Sequence, residues 1–403
     1  MVSVCFYFQV HQPFRLGKYR IFDIGSHSRY FDEEKNRQVM EKVAKKCYLP
    51  ANKAVLELIS KLDGKFKASY SITGMAIEQF QAYAPEVLDS FKELARTKCV
   101  EFLDETYHHS LSFLYSKEEF KEQVKMHNKS IRNLFNFSPK VFRNTELIYS
   151  NELANYVEKM GYKTILAEGA DHVLGWRSPN FVYKAKTANN VKLLLKNYKL
   201  SDDIAFRFSE KSWKEFPLTA PKFGQWVSNI NGNGNVVNLF MDYETFGEHQ
   251  WEDKGIFEFL RHIPHEILKH PDNEFLTVSE AAKKYEPVAE LDVHNVVSWA
   301  DVERDLSAWL GNKMQTEAIK ELYLMETKVK NSKDKILLDN WRKLQTSDHF
   351  YYMCTKWFND GDVHKYFNPY DSPYESFIAF MNIMNDMKLR VGYDDHKEKM
   401  LTQ

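Results

Sequence analysis

Val2-Ser-Val-Cys-Phe-Tyr-Phe-Gln-Val10 runs straight into His11-Gln12-Pro13. No basic residue precedes the apolar run and no small-residue cleavage site follows it, so it reads as a buried strand rather than a signal peptide. Working outward, six further short apolar or β-branched runs follow: Phe66 to Ile72, Cys99 to Leu103, Lys140 to Asn144, Thr164 to Ala167, Lys192 to Tyr198 and Val236 to Met241. Between most of them lie amphipathic segments long enough to cross back over a sheet, such as Asn52 to Leu62, Glu78 to Ala95, Glu118 to Phe135 and Asn151 to Met160. Strands alternating with helices of this length are the signature of β/α units around a parallel sheet.

The link from Ser201 to Asn235 looks irregular, ends in the turn-forming Asn231-Gly-Asn-Gly-Asn, and leaves room for a missing crossover helix. Beyond about Pro271 the strand signals stop, and Thr277 to Asn340 reads almost entirely as helix. The expected organisation is therefore a catalytic barrel over residues 1–270, with residues 271–403 as a helical region packed on it. No Pro/Gly/Ser linker separates the two, and no repeat or low-complexity tract is evident.

Composition narrows the function. Lysine plus arginine, 55, nearly balances aspartate plus glutamate, 56, so there is no long-range positive field to hold nucleic acid or an anionic membrane. A neutral substrate fits that balance better than a polyanion. Aromatics reach 15%, and rings not needed for packing are surfaces on which sugars stack. Cys5, Cys47, Cys99 and Cys354 form no CxxC pair, which argues against a zinc knuckle or a disulfide framework. No apolar run approaches the roughly 20 residues that span a bilayer. A cytoplasmic protein with no membrane partner is expected; the sequence leaves the oligomeric state open.

In a barrel of parallel strands the reactive groups project from the carboxyl ends of the strands. Here those ends carry His11-Gln12, Thr73 with Glu78 beyond it, Asp104-Glu105 with His108-His109, Thr145-Glu146, Glu168 with Asp171-His172, Asp202-Asp203, and Asp242-Tyr-Glu244. Acidic residues after strands often cap helices, and capping or solvation is the reading for Asp202 and Asp203. Glu146 and Asp242 differ, because each terminates an apolar strand and starts from a partly buried position, where a carboxylate needs partners or a function. Glycoside cleavage needs two carboxyl groups flanking the bond, about 5 to 5.5 Å apart in retaining enzymes. Groups so distant in the chain meet only if tertiary structure brings strand ends together, as a closed or nearly closed barrel does.

Metal ligation is the competing use of His11, His108, His109, Asp171, His172, His249 and His349. None shows HxxxH or HxH spacing, although Asp104 and His108 are an i, i+4 pair. For most of these histidines a hydrogen-bonding role is the default. His11, directly after a strand and held by Pro13, reads as a contact for a sugar hydroxyl. No G-x-S-x-G elbow, Walker loop or dinucleotide fingerprint appears.

With these residues in hand the chain resembles glycoside hydrolase family 57, and within it the α-amylase-like members. His11-Gln12-Pro13 looks like the family's first motif and Gly74-Met-Ala-Ile-Glu78 like a variant of its second. Phe142-Arg-Asn-Thr-Glu146-Leu stands where the third places a nucleophilic glutamate, without the tryptophan many members carry beside it. Leu239-Phe-Met-Asp242-Tyr-Glu-Thr-Phe-Gly247 resembles the fourth, whose aspartate is the general acid/base, and Leu344-Gln-Thr-Ser-Asp348-His349-Phe-Tyr-Tyr the fifth.

The resemblance implies an α/β fold, an incomplete (β/α)7 TIM-like barrel whose C-terminal helical region completes the substrate cleft. It also implies a retaining mechanism with no metal or other cofactor, acting on α-1,4-glucosidic bonds of maltooligosaccharides, starch or glycogen. Glu146 would attack and Asp242 would protonate. His11, Glu78, His108, Asp348 and His349 would contact sugar, and Trp176 and Trp299 would offer stacking surfaces. Hydrolysis, 4-α-glucan transfer and branching all remain open. More distant readings are a metal-dependent carbohydrate deacetylase or mannosidase, and a non-catalytic glucan-binding protein.

Overall fold

The computed structural model describes residues 1–356 and 368–393. The chain divides into two compact units assembled from interleaved segments. The first comprises residues 1–12, 39–107 and 123–299, and the second residues 13–38, 108–122 and 300–403.

All seven expected strands form in the first unit: β1 (Val2–Val10), β2 (Ala68–Ile72), β3 (Val100–Phe102), β4 (Val141–Arg143), β5 (Thr164–Glu168), β7 (Lys192–Lys196) and β8 (Val236–Asp242). Three short ones were not foreseen: β6 (Tyr183–Ala185), β9 (Asn273–Phe275) and β10 (Glu290–Leu291). One sheet runs β3-β2-β1-β8 with β9 added beside the start of β1, and the other β10-β6-β7-β5-β4. All of the pairings are parallel except β6 with β7.

The two sheets meet at both seams. A parallel bridge, Asp104 to Phe142, links β3 to β4. At the other seam Asn197 N–H donates to Asn238 O and Asn238 Nδ2 to Leu195 O, each at 2.9 Å. Seven parallel strands thus form a ring joined at each seam by a pair of hydrogen bonds rather than a ladder, an incomplete (β/α)7 barrel.

Burial on both faces explains the near-continuous apolar text of β1, every residue of which is buried. Its odd residues Cys5 and Tyr7 meet Leu103, Val141, Leu166, Leu194, Val236 and Phe240 inside the ring. Its even residues Phe6 and Phe8 face outward into an aromatic layer with Phe66, Tyr70, Tyr243 and Phe275. Much of the aromatic excess is therefore packing. Burial pushes the Cys5 and Cys47 thiols well up, which suits inert core residues.

Helices occupy the expected crossovers, with three corrections. Glu78 to Ala95 is two helices, Gly74–Tyr83 and Pro85–Arg96, because the residue before a proline avoids helical backbone and Ala84 sits at φ −151°, ψ 60°. The link after β7 holds helices Tyr198–Ala205 and Ala220–Ser228. Residues 285–306 contain no helix: β10 and an extended stretch bridged at Val297 to Tyr149 lie there instead. Those apolar residues pair with backbone, so their three- and four-residue spacing is coincidental.

In the second unit the described helices include Lys313–Leu324, Lys335–Lys343, Ser347–Tyr351 and Pro373–Arg390. Buried Glu119 takes Arg342 Nε at 2.8 Å and Lys330 Nζ at 2.9 Å, which holds together segments far apart in sequence. No helix among the described residues is long and apolar enough to cross a membrane.

Candidate active site

Strand periodicity builds the floor of the site. Side chains two residues apart share a face, so the inward residues Tyr7, Leu103, Val141, Leu166, Leu194 and Phe240 are each followed, one layer nearer the carboxyl end, by Gln9, Glu105, Arg143, Glu168, Lys196 and Asp242. The hydrophobic core therefore gives way within one step to a layer of charge.

That layer is wired together. Gln9 Nε2 donates to Glu105 Oε1 at 3.0 Å, and Gln9 Oε1 accepts from Tyr7 and Ser71 at 2.8 and 2.9 Å. The other oxygen of Glu105 lies 3.8 Å from the Arg143 guanidinium. Lys196 Nζ reaches Asp202 at 3.0 Å and Glu168 at 3.8 Å. Asp202, read from sequence as a cap or as solvated, is instead a buried counterion; the helix it sits on is capped by Asn197.

Glu146 stands on a strained turn just past β4. It has φ 57° and ψ 26°, and Leu147 follows at φ 50°, two non-glycine residues in the left-handed region at a cost of order 1 kcal/mol or more each. An antiparallel bridge between Tyr149 and Val297 holds the turn, and Trp299 N–H donates to Glu146 O at 3.1 Å. The Trp299 indole Nε1–H then donates to Glu146 Oε2 at 2.7 Å. The tryptophan missing beside Glu146 in the chain is present in space, supplied from 153 residues away.

Asp242 ends β8 with Gln9 as its register partner on β1. Around the ring β8 is separated from β4 by β7 and β5 on one side and by β1, β2 and β3 on the other, so Glu146 and Asp242 rise from opposite walls at the same end. Glu244, two residues on, is buried and accepts from Tyr48 and, at 3.4 Å, from Gln12. Burial, reinforced by the charge of Asp242, pushes its carboxyl up to about 8.

Of the other predicted contacts, His11 Nδ1 lies 3.0 Å from Thr73 Oγ1, the hydroxyl that caps helix Gly74–Tyr83. Glu78 accepts from Tyr107 at 3.0 Å. Trp176 is 94% exposed, so packing does not account for its ring. His108, Asp348 and His349 belong to the second unit. There His108 and His349 are buried, His349 against Tyr352 and Phe380, and Asp348 accepts from Thr346 at 3.1 Å.

Asp104, the suggested partner of His108 in a metal pair, spends both oxygens otherwise. Oδ1 lies 2.6 Å from His127 Nδ1, and Oδ2 accepts from Asn128 at 2.6 Å and from Tyr162. Burial alone would lower the His127 imidazolium, but the bond to Asp104 and the charges of Asp104 and Glu105 more than offset it, and it stays raised.

The description of Glycosyl hydrolase family 57 matches residues 5–294. The chain belongs to that family. Its catalytic unit is accordingly a glycoside hydrolase barrel. The chain is 46% identical over 398 residues to a Methanocaldococcus jannaschii protein described as "Putative alpha-amylase", covering 96% of this chain and 84% of that one.

Three enzymes are among the solved structures that share the fold. The 4-alpha-glucanotransferase from Thermococcus litoralis has a TM-score of 0.67 at 15% identity, with 87% of this chain spanning 56% of that one. The GH57 branching enzyme of Thermococcus kodakaraensis has a TM-score of 0.64 at 15% identity, covering 91% and 87%. The alpha-amylase AmyC of Thermotoga maritima has 0.64 at 13%, covering 98% and 95%.

Sequence reading of this family-57 chain passed over Gln9, Arg143, Lys196 and Glu244 as site residues. For Arg143 and Lys196 a charged residue two positions after an apolar, inward-facing one was the available signal. For Glu244 a consequence follows. Its folded carboxyl at about 8 lies above the ordinary value of 4.5, so between those values the folded state binds the extra proton and stability falls as pH rises. Glu244→Gln, neutral throughout and still able to accept from Tyr48 and Gln12, should melt progressively higher than wild type as the buffer moves from pH 5 to pH 9. A melting difference that does not change with pH would contradict this.

Proposed function

We propose that this protein cleaves α-1,4-glucosidic bonds of maltooligosaccharides, starch or glycogen with retention, through a covalent glycosyl-enzyme intermediate, in the manner of an α-amylase. The observation that carries the reading is Glu146, fixed by Trp299 on a strained turn at the carboxyl end of β4, with Asp242 rising from the opposite wall of the same ring. Glu146 attacks the anomeric carbon as a carboxylate while Asp242 gives its proton to the departing oxygen, and water then releases the sugar with Asp242 acting as base. His11, Glu78 and the exposed ring of Trp176 are the sugar contacts we assign within this unit.

The 46% identity to the protein described as "Putative alpha-amylase" supports hydrolysis over transfer. Incubation with maltoheptaose decides it. Shorter maltooligosaccharides alone are the expected products; longer chains would mean glucanotransferase activity, and new branch points a branching enzyme.

A further inference from the structure

Arg143 is fully buried, yet none of its guanidinium nitrogens has a hydrogen-bond partner among the described residues, and its nearest carboxylate, Glu105, stands off at 3.8 Å. Leaving up to five donors unmet in the interior is costly, and buried cations are ordinarily satisfied by close, hydrogen-bonded partners. What the guanidinium does have is a ring: its carbon lies 4.8 Å from the centroid of Trp299. The ammonium of Lys196, on β7, lies 5.4 Å from the same centroid. Two cations from two walls of the barrel thus converge on one indole, and the N–H of that indole is bonded to Glu146.

A cation over an indole is attracted by the negative face of the ring. It also draws density from the ring, which makes the N–H a stronger donor, most of all where water is excluded. We propose that Arg143 and Lys196 are positioning residues that act on Glu146 through Trp299. They fix the indole and strengthen its bond to the carboxylate, so that the attacking oxygen is aimed without either cation touching substrate. The inference rests on Glu146 being the nucleophile. Glu105 stands by Arg143, and Glu168 and Asp202 by Lys196, so the three carboxylates offset the mutual repulsion of the two cations.

A double-substitution cycle on the full-length enzyme tests this. Lys196→Met should lower kcat about tenfold while KM for maltoheptaose changes less than about twofold, because an oriented nucleophile is worth most in the transition state. Trp299→Phe keeps a ring for the cations but removes the N–H, and should lower kcat by at least as much. In the Trp299→Phe background Lys196→Met should then cost less than about twofold, since the route to Glu146 is already cut. Lys196→Arg should restore most of the activity. Lys196→Gln, which keeps a donor for Asp202, serves the same cycle should the Met variant fail to fold, and Arg143→Lys against Arg143→Met repeats it from β4.

Equal losses from the lysine change in both backgrounds would mean a purely structural role and overturn the inference. Turnover surviving in Glu146→Gln would instead overturn the reading of the nucleophile, so the two failures are separable.

Discussion

On the proposed mechanism Glu146→Gly should lose at least about three orders of magnitude in kcat on maltooligosaccharides, because a retaining enzyme without its nucleophile has no first step. Inorganic azide should then restore turnover of an activated aryl α-maltoside, and the configuration of the product identifies the role. Azide filling the space left by Glu146 attacks from the face the carboxylate used and gives the β-glycosyl azide. In Asp242→Ala the glycosyl-enzyme still forms from an activated substrate, and azide captures it to give the α-glycosyl azide.

Exchanged product configurations would reverse the two assignments, and an α-glycosyl azide from neither variant together with undiminished turnover would remove both. The glycine variant also carries a stability expectation. At φ 57° a glycine adopts the backbone freely, so losing the side chain relieves strain and offsets the lost bond from Trp299. Its melting temperature should match or exceed that of wild type, which would mark the strain at Glu146 as serving function rather than folding.

The wall of the barrel was legible in sequence because parallel strands buried on both faces leave runs that nothing else produces. Val2 to Val10 is such a run, and its predicted limits coincide with the strand. Glu146 and Asp242 stood out for a related reason, each being the first carboxylate after a buried run. What could not be read was anything that depends on who stands opposite. Arg143 looks like an ordinary charge within Val141-Phe-Arg, and only the inward face shared with Val141 places it under the site.

Trp299 lay in a stretch read as helix, whereas it belongs to an extended segment that pairs with the turn at Glu146. Pairing partners that distant leave no local periodicity to detect. Ala84 is the converse case: the break before Pro85 was visible in the text but was outweighed by the helical spacing on either side.

Gly247→Ala should be the most damaging single-methyl change in the catalytic unit. The glycine sits at φ 109°, and a Cβ there would lie 1.9 Å from Lys46 O and 2.9 Å from Phe257 Cζ. The approach is so close because one irregular helical turn, Ala44–Tyr48, wider than an α-turn, grips the loop after Asp242 with consecutive residues. Lys46 O packs on Gly247, Cys47 Sγ donates to Tyr243 O at 3.3 Å, and Tyr48 donates to Glu244. Wider turns of this kind recur at functional sites because they re-aim side chains that regular helix would point elsewhere.

An added methyl must either displace that turn or open the loop, and with the strained backbone the loss should be roughly 3 to 6 kcal/mol. Thermal melting reads the stability cost directly. Because the loop begins at Asp242, the folded fraction should also lose kcat more than it loses binding, with KM little changed. An alanine variant melting within a degree of wild type at full turnover would show that the grip of Ala44–Tyr48 on this loop does not position the acid/base.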